Sequence, residues 1–181
     1  AEAPHRRQRR AAVHDRARLG KLTADFFTES YRISGRLDVR ARKLADQLED
    51  RTSSFLHLED VYISNTEHPG DIVASHAEAV IRKEKIAAAV VAQEEDGLSR
   101  KYAYGSYIGS HVQEAFLIVP SFQIRGYLRL PGKADLRATL TSGDAFIPLI
   151  DGEMKLSARP EIAFAGGIIL VNRGQIEVLC K

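Results

Sequence analysis

The chain has 181 residues, 44% apolar and 28% charged, which suits one globular domain or two small ones and excludes global disorder. Its purely apolar runs are a few residues long, Gly166–Val171 among the longest, so no stretch has the roughly 20 apolar residues of a membrane-spanning helix. The formal charge of +2 is uneven: residues 1–21 hold seven Lys/Arg against two acids, and the remainder holds nineteen against twenty-two, a net −3.

The first segment, residues 1–21, is therefore a basic arm carrying Arg6, Arg7, Arg9, Arg10, Arg16 and Arg18. No apolar core follows the arginines, so it does not read as a secretory signal, and it lacks the serines of a transit peptide. A cytoplasmic protein is expected. Arginine forks match phosphate geometry, and arms of this kind fold on nucleic acid with salt-dependent affinity. The same arm could dock on an acidic neighbouring subunit or stay solvated, and all three readings stand open at this point.

From about Phe26 onward the chain reads as one unit written twice. A shift of 91 places Ser30, Ile33, Gly35 and Leu37 on Ser121, Ile124, Gly126 and Leu128, and Phe55, Leu58, Asp60 and Pro69 on Phe146, Leu149, Asp151 and Pro160. A shift of 92 pairs Leu44 and Leu48 with Leu136 and Leu140, and a shift of 90 pairs Ile72 and Ile86 with Ile162 and Ile176. One-residue changes of offset are what altered loop lengths between two copies produce.

Each copy opens with an alternating strand, Tyr31–Leu37 or Phe122–Leu128, whose shared glycine predicts a bulge or bend. The leucines at i,i+4 then predict a short helix that must dock on the sheet. In copy one, strands are expected at 55–63, 71–75 and 79–81, with a closing strand over 85–91. Those of copy two are expected at 146–151, 161–164, 167–171 and 175–179. Turns are expected at Glu67–Gly70 and Asn172–Gly174. Ala87–Ala89 is helix-friendly, but its counterpart Ile176–Leu179 is strand-like, so strand is expected there. Gln93–Gly97 reads as an exposed connection, and Tyr102–Gly109 as an extra strand or hairpin.

The expected fold is mainly β (β-rich α+β): the basic arm 1–21, a β-barrel-like repeat at 22–92, a linker at 93–110 and a second repeat at 111–181. Ile33-Ser-Gly35-Arg-Leu37, its copy Ile124–Leu128, and the ending Leu170-Val-Asn-Arg173-Gly174-Gln-Ile176 resemble the Sm-like small β-barrels. The resemblance implies five strongly bent strands per copy. In Sm-like barrels the RNA-contacting loop carries Asp-x-apolar-Asn, which Leu56–Asp60 and Ile147–Asp151 lack, so ring assembly and uracil binding are not implied. The same order also resembles short prokaryotic β-rich domains for which it implies no activity.

Chemistry-bearing patterns are sparse. Cys180 is the single cysteine and excludes an internal disulfide or a cysteine-based zinc site. The six histidines form no metal-binding pair: His57 is expected on a solvent face, His68 in a turn, and His76 beside Glu78 in a loop. Phosphate-cradling and nucleophile-elbow motifs are absent. Asp60 and Asp151 occupy one repeat position, so they could face each other in a pseudo-symmetric pocket, or each could accept backbone hydrogen bonds in its own turn.

The expectation is thus a non-catalytic assembly module with no cofactor or metal, whose partner is another protein or a second copy. An RNA- or DNA-associated protein bound through the arm is the alternative, and an enzyme with a pocket between the repeats the second. Arg82, Lys83, Asn172 and Arg173 are candidate loop contacts.

Overall fold

The computed structural model describes residues 20–99, 110–131, 135–141 and 143–181. Among these residues ten strands form one antiparallel sheet: β1 (Lys21–Phe27), β2 (Tyr31–Asp38), β3 (Phe55–Asn65), β4 (His68–Arg82), β5 (Ala88–Val91), β6 (Ser110–Val119), β7 (Phe122–Pro131), β8 (Phe146–Leu156), β9 (Ala163–Asn172) and β10 (Val178–Cys180). Three short helices accompany them among the described residues: α1 (Leu44–Glu49), α2 (Glu94–Gly97) and α3 (Leu136–Thr141). Single 3₁₀ turns, η1 (Lys83–Lys85) and η2 (Arg173–Gln175), precede β5 and β10.

The strand order is β10-β6-β7-β8-β9-β5-β1-β2-β3-β4. Each half has the same internal order, running from its fifth strand through its first, second and third to its fourth, so that β9 of the second half meets β5 of the first. Among the described residues the sheet does not close on itself, and β10 and β4 are its two edges.

The glycine bend takes the same form in both halves. Gly35 stands opposite Asp60 and Val61, and Gly126 opposite Asp151 and Gly152, where the register slips by one residue. That two-against-one count is a β-bulge, which bends the strand and raises its twist. Asp60 and Asp151 adopt positive φ, 49° and 48°, a conformation that aspartate tolerates better than most residues. A small residue backs each glycine on the far side, Ala24 opposite Gly35 and Ala115 opposite Gly126.

Two apolar cores lie along the sheet. The first gathers Leu22, Phe26, Leu37, Leu44, Leu58 and Ile86, and the second Phe27, Leu117, Phe122, Ile124, Leu149 and Met154. They meet at the β5–β9 seam. Ala89, Val91, Ile168 and Leu170 enter the first core, while Ala88, Val90, Ile169 and Val171 enter the second. Strands buried on both faces need continuous apolar runs rather than alternation, and Ala87–Val91 and Ile168–Val171 supply them. Phe27 crosses into the second core, edge-on to Phe122 at 5.7 Å and tilted against Phe164 at 4.5 Å.

Several expectations are corrected. β4 is one strand through His76, not two pieces around a loop, and the turn expected over Glu67–Gly70 is confined to Thr66-Glu67, with His68, Pro69 and Gly70 already in the strand. Pro69 sits in an edge strand, where a missing N–H costs no ladder bond. The stretch Gln93–Gly97, expected as an exposed connection, has Gln93 and Glu95 exposed but includes α2, whose Gly97 end packs on β9 so closely that a Cβ there would meet Ile168 Cγ2 at 2.5 Å. Lys21, assigned to the arm, begins β1, and its ammonium pairs with Glu59. The expected strand or hairpin at Tyr102–Gly109 lies outside the described residues.

Candidate functional site

Among the described residues every strand but two has neighbours on both sides. β4 is fifteen residues long and largely exposed, with Ile72, Val73 and Val80 each more than 60% accessible. β10 leaves Val178 and Cys180 exposed. An uncovered edge offers a row of unpaired N–H and C=O groups to another strand, and proteins usually blunt such edges with charge or cover them. Here β4 carries charge at Asp71 and Glu78, yet apolar Val80 and Ile81 lie between Glu78 and Arg82.

The β5–β9 seam shows what such an edge looks like when covered. Ala88, Ala89, Val90 and Val91 pair with Val171, Leu170, Ile169 and Ile168, and all eight are buried. The Glu49 carboxylate of α1 accepts the backbone N–H groups of Ala145 and Phe146, both at 2.8 Å, and so ties the first core to the start of β8. Asn172 donates through Nδ2 to the Ile86 carbonyl at 2.9 Å, and Gln175 donates to the Glu84 carbonyl at 2.7 Å.

Of the four candidate loop residues, two are internal. Lys83 is buried and donates to the carbonyls of Gln47 at 2.5 Å and Asp50 at 2.9 Å, where the last turn of α1 leaves acceptors open. Burial pushes its ammonium below the usual lysine range, and the Asp50 carboxylate partly opposes this. Asn172 is likewise buried, its oxygen accepting from Gly174 N–H at 3.0 Å. The outward pair is Arg82, exposed and 4.8 Å above the Phe55 ring, and half-buried Arg173. Arg6, Arg7, Arg9, Arg10, Arg16 and Arg18 lie outside the described residues.

Asp60 and Asp151 sit in separate bulges, with four strands between β3 and β8 in the sheet order. Asp60 accepts from Arg36 at 2.8 Å. A cavity of about 480 Å³ opens beside α1, but neither aspartate lines it. Its charged rim is internally paired, Arg40 with Asp38 and Arg42 with Asp50. His57 is exposed, 3.7 Å from Glu78, and the described residues hold no cluster of three metal-ligating side chains. No described helix is long and apolar enough to cross a membrane.

Sequence reasoning missed β1 and β6, the strands that begin each half. The signal was present: at the shift of 91, Ala24 falls on Ala115, each directly across from its half's glycine. Comparison with protein-family models, curated proteins and solved structures finds no match to this chain.

Proposed function

We propose that this chain is a non-catalytic assembly module: two tandem barrel-like repeats of Sm-like character, cytoplasmic, whose sheet edges bind protein. The observation that carries this reading is the pair of edges that no described strand covers, with apolar side chains exposed on β4 while the corresponding strand β9 is covered by β5. Strand addition to such an edge draws affinity from main-chain hydrogen bonds and specificity from alternate side chains. The test is purification from the native source of the wild-type chain beside a Val80→Asp variant. A protein retained by the first and lost from the second, or self-association lost in the same way, supports the reading. Association that ignores the substitution overturns it.

A second reading, nucleic-acid association through the six arginines of the arm, is favoured by the charge division between a basic arm and a net acidic remainder. It requires salt-dependent polyanion binding that disappears with the arm.

A further inference from the structure

We infer that the partner is a second copy of this chain, its β10 pairing antiparallel with β4 of the first and repeating between molecules the seam that β5 and β9 make within one. This rests on the assembly reading above and names its occupant. The registers define the equivalence. Val178, Leu179 and Cys180 pair with β6 through Ile118, Leu117 and Phe116, as Ala88, Ala89 and Val90 pair with β1 through Phe27, Phe26 and Asp25. On the other side, Ile81, Val80, Ala79 and Glu78 pair along β3 as Val171, Leu170, Ile169 and Ile168 pair along β8. Carrying the inner register outward sets Val178 against Ile81, Leu179 against Val80, Cys180 against Ala79, and Lys181 against Glu78.

The exposed apolar side chains fall where that contact needs them. Phe55, Val80, Leu140 and Val178 are 45%, 66%, 37% and 42% accessible. Their inner equivalents Phe146, Leu170, Leu48 and Ala88 are 5%, 1%, 3% and 0% accessible. Phe146 and Leu170 reach the first core beside α1. Phe55 and Val80 are the same projections without a socket, and α3, with Leu140 uncovered, is the same socket without its projections.

The polar contacts are kept in kind. Asn172 and Gln175 donate across the inner seam, and their equivalents Arg82 and Lys85 are also donors. The inner apolar pair Val91–Ile168 becomes Lys181 against Glu78, opposite charges at the end of the contact. The match stops there: a Cβ on Gly166 would meet the Val91 carbonyl at 2.5 Å, and His76 stands in its place. Each chain offers one edge of each kind, so the contact is head-to-tail and adds molecules into a closed ring or an open filament.

Sedimentation velocity of the full chain at rising concentration tests this, with Val80→Asp and Val178→Asp made separately. Both side chains are exposed in the single molecule, so both variants are expected to fold, with circular dichroism unchanged. The wild type is expected to exceed twice the monomer mass, and each variant to remain monomeric. A 1:1 mixture is expected to reach two chains and no more, because each variant keeps one intact edge of opposite kind. A monomeric wild type, association indifferent to either substitution, or a mixture that fails to pair overturns the inference. If the monomeric wild type still retains another protein through the Val80 edge, the assembly reading stands without this one; if it retains none, both fall.

Discussion

At Gly35 and Gly126 one bend is built with different neighbours. A Cβ on Gly35 would meet Leu58 Cβ and Cδ1 at 3.2 Å, whereas on Gly126 it would meet the Ile150 carbonyl oxygen at 3.0 Å and Leu149 Cβ at 3.1 Å. The Leu58 methyl can turn away more readily than a main-chain carbonyl held in a bulge. Gly126→Ala is therefore expected to cost about 1–3 kcal/mol by overpacking, and Gly35→Ala less, as read from urea midpoints. Equal costs would mean the bulges yield alike. The aspartates across from these glycines are held at positive φ, so Asp151→Gly is expected to be near neutral. Asp151→Val is expected to lose about 1–2 kcal/mol, the left-handed penalty of a β-branched residue.

Asp50 sets a pH dependence at the same scale. The Thr52 hydroxyl and N–H, with Arg42 after them, hold its carboxyl at about 2 against an ordinary 3.8. A folded-state value below the unfolded one means that protons bind the unfolded chain more readily, so the contribution is present above 3.8 and is lost as pH falls toward about 2. Asp38, bonded to Arg40 and also near 2, acts in the same window. Thermal melts of Asp50→Asn across that window are expected to fall less steeply with acid than those of the wild type. Parallel curves would assign the dependence to other carboxylates.

Between elements, the two helices divide in a way their sequences do not announce. Leu44 and Leu48 are 0% and 3% accessible, while at the equivalent positions Leu136 is half-buried and Leu140 exposed. The i,i+4 spacing was enough to place both helices, because it is a property of each segment alone. What covers the leucines is not local: α1 is covered by β8 and β9 of the other half, and α3 has no such neighbour among the described residues. The same reason hid the continuity of β4, whose Pro-Gly reads as a turn until the strand is known to be an edge. It also hid the buried placement of Lys83 and Asn172, which spend their donors on backbone carbonyls made available by distant turns. The strands themselves were readable wherever one face was buried, since alternation records that; β1 and β6 were overlooked although Ala24 and Ala115 already matched. Leu44→Ala is accordingly expected to cost about 2–5 kcal/mol, a buried truncation with its cavity. Leu140→Ala is expected to cost less, about 1 kcal/mol in dilute solution, since a good part of that side chain, 37% accessible, already faces water. A large loss at Leu140 in a monomeric sample would show that α3 is already covered within one chain.

For the whole molecule, charge and assembly are separable, because the basic arm precedes β1 while the edges lie at the far ends of the sheet order. Residues 1–19 carry six arginines and two acids, and the chain from Gly20 onward keeps a net negative charge. Counterion release gives a slope of about −0.7 in log affinity against log salt for each single-strand phosphate neutralised, so full use of the arm approaches a slope of about −4. Deleting residues 1–19, a cut that spares Lys21 and its pair with Glu59, is expected to abolish binding to a single-stranded RNA probe and leave self-association unchanged. Fluorescence anisotropy at several salt concentrations and sedimentation on the same samples read the two properties independently. RNA binding that survives the deletion would move the contact to the sheet and its Arg82 and Arg173 side chains. Association that vanishes with the arm would make the arm, rather than β4 and β10, the joint between molecules, since an acidic remainder on one copy would then be holding the arginines of the next.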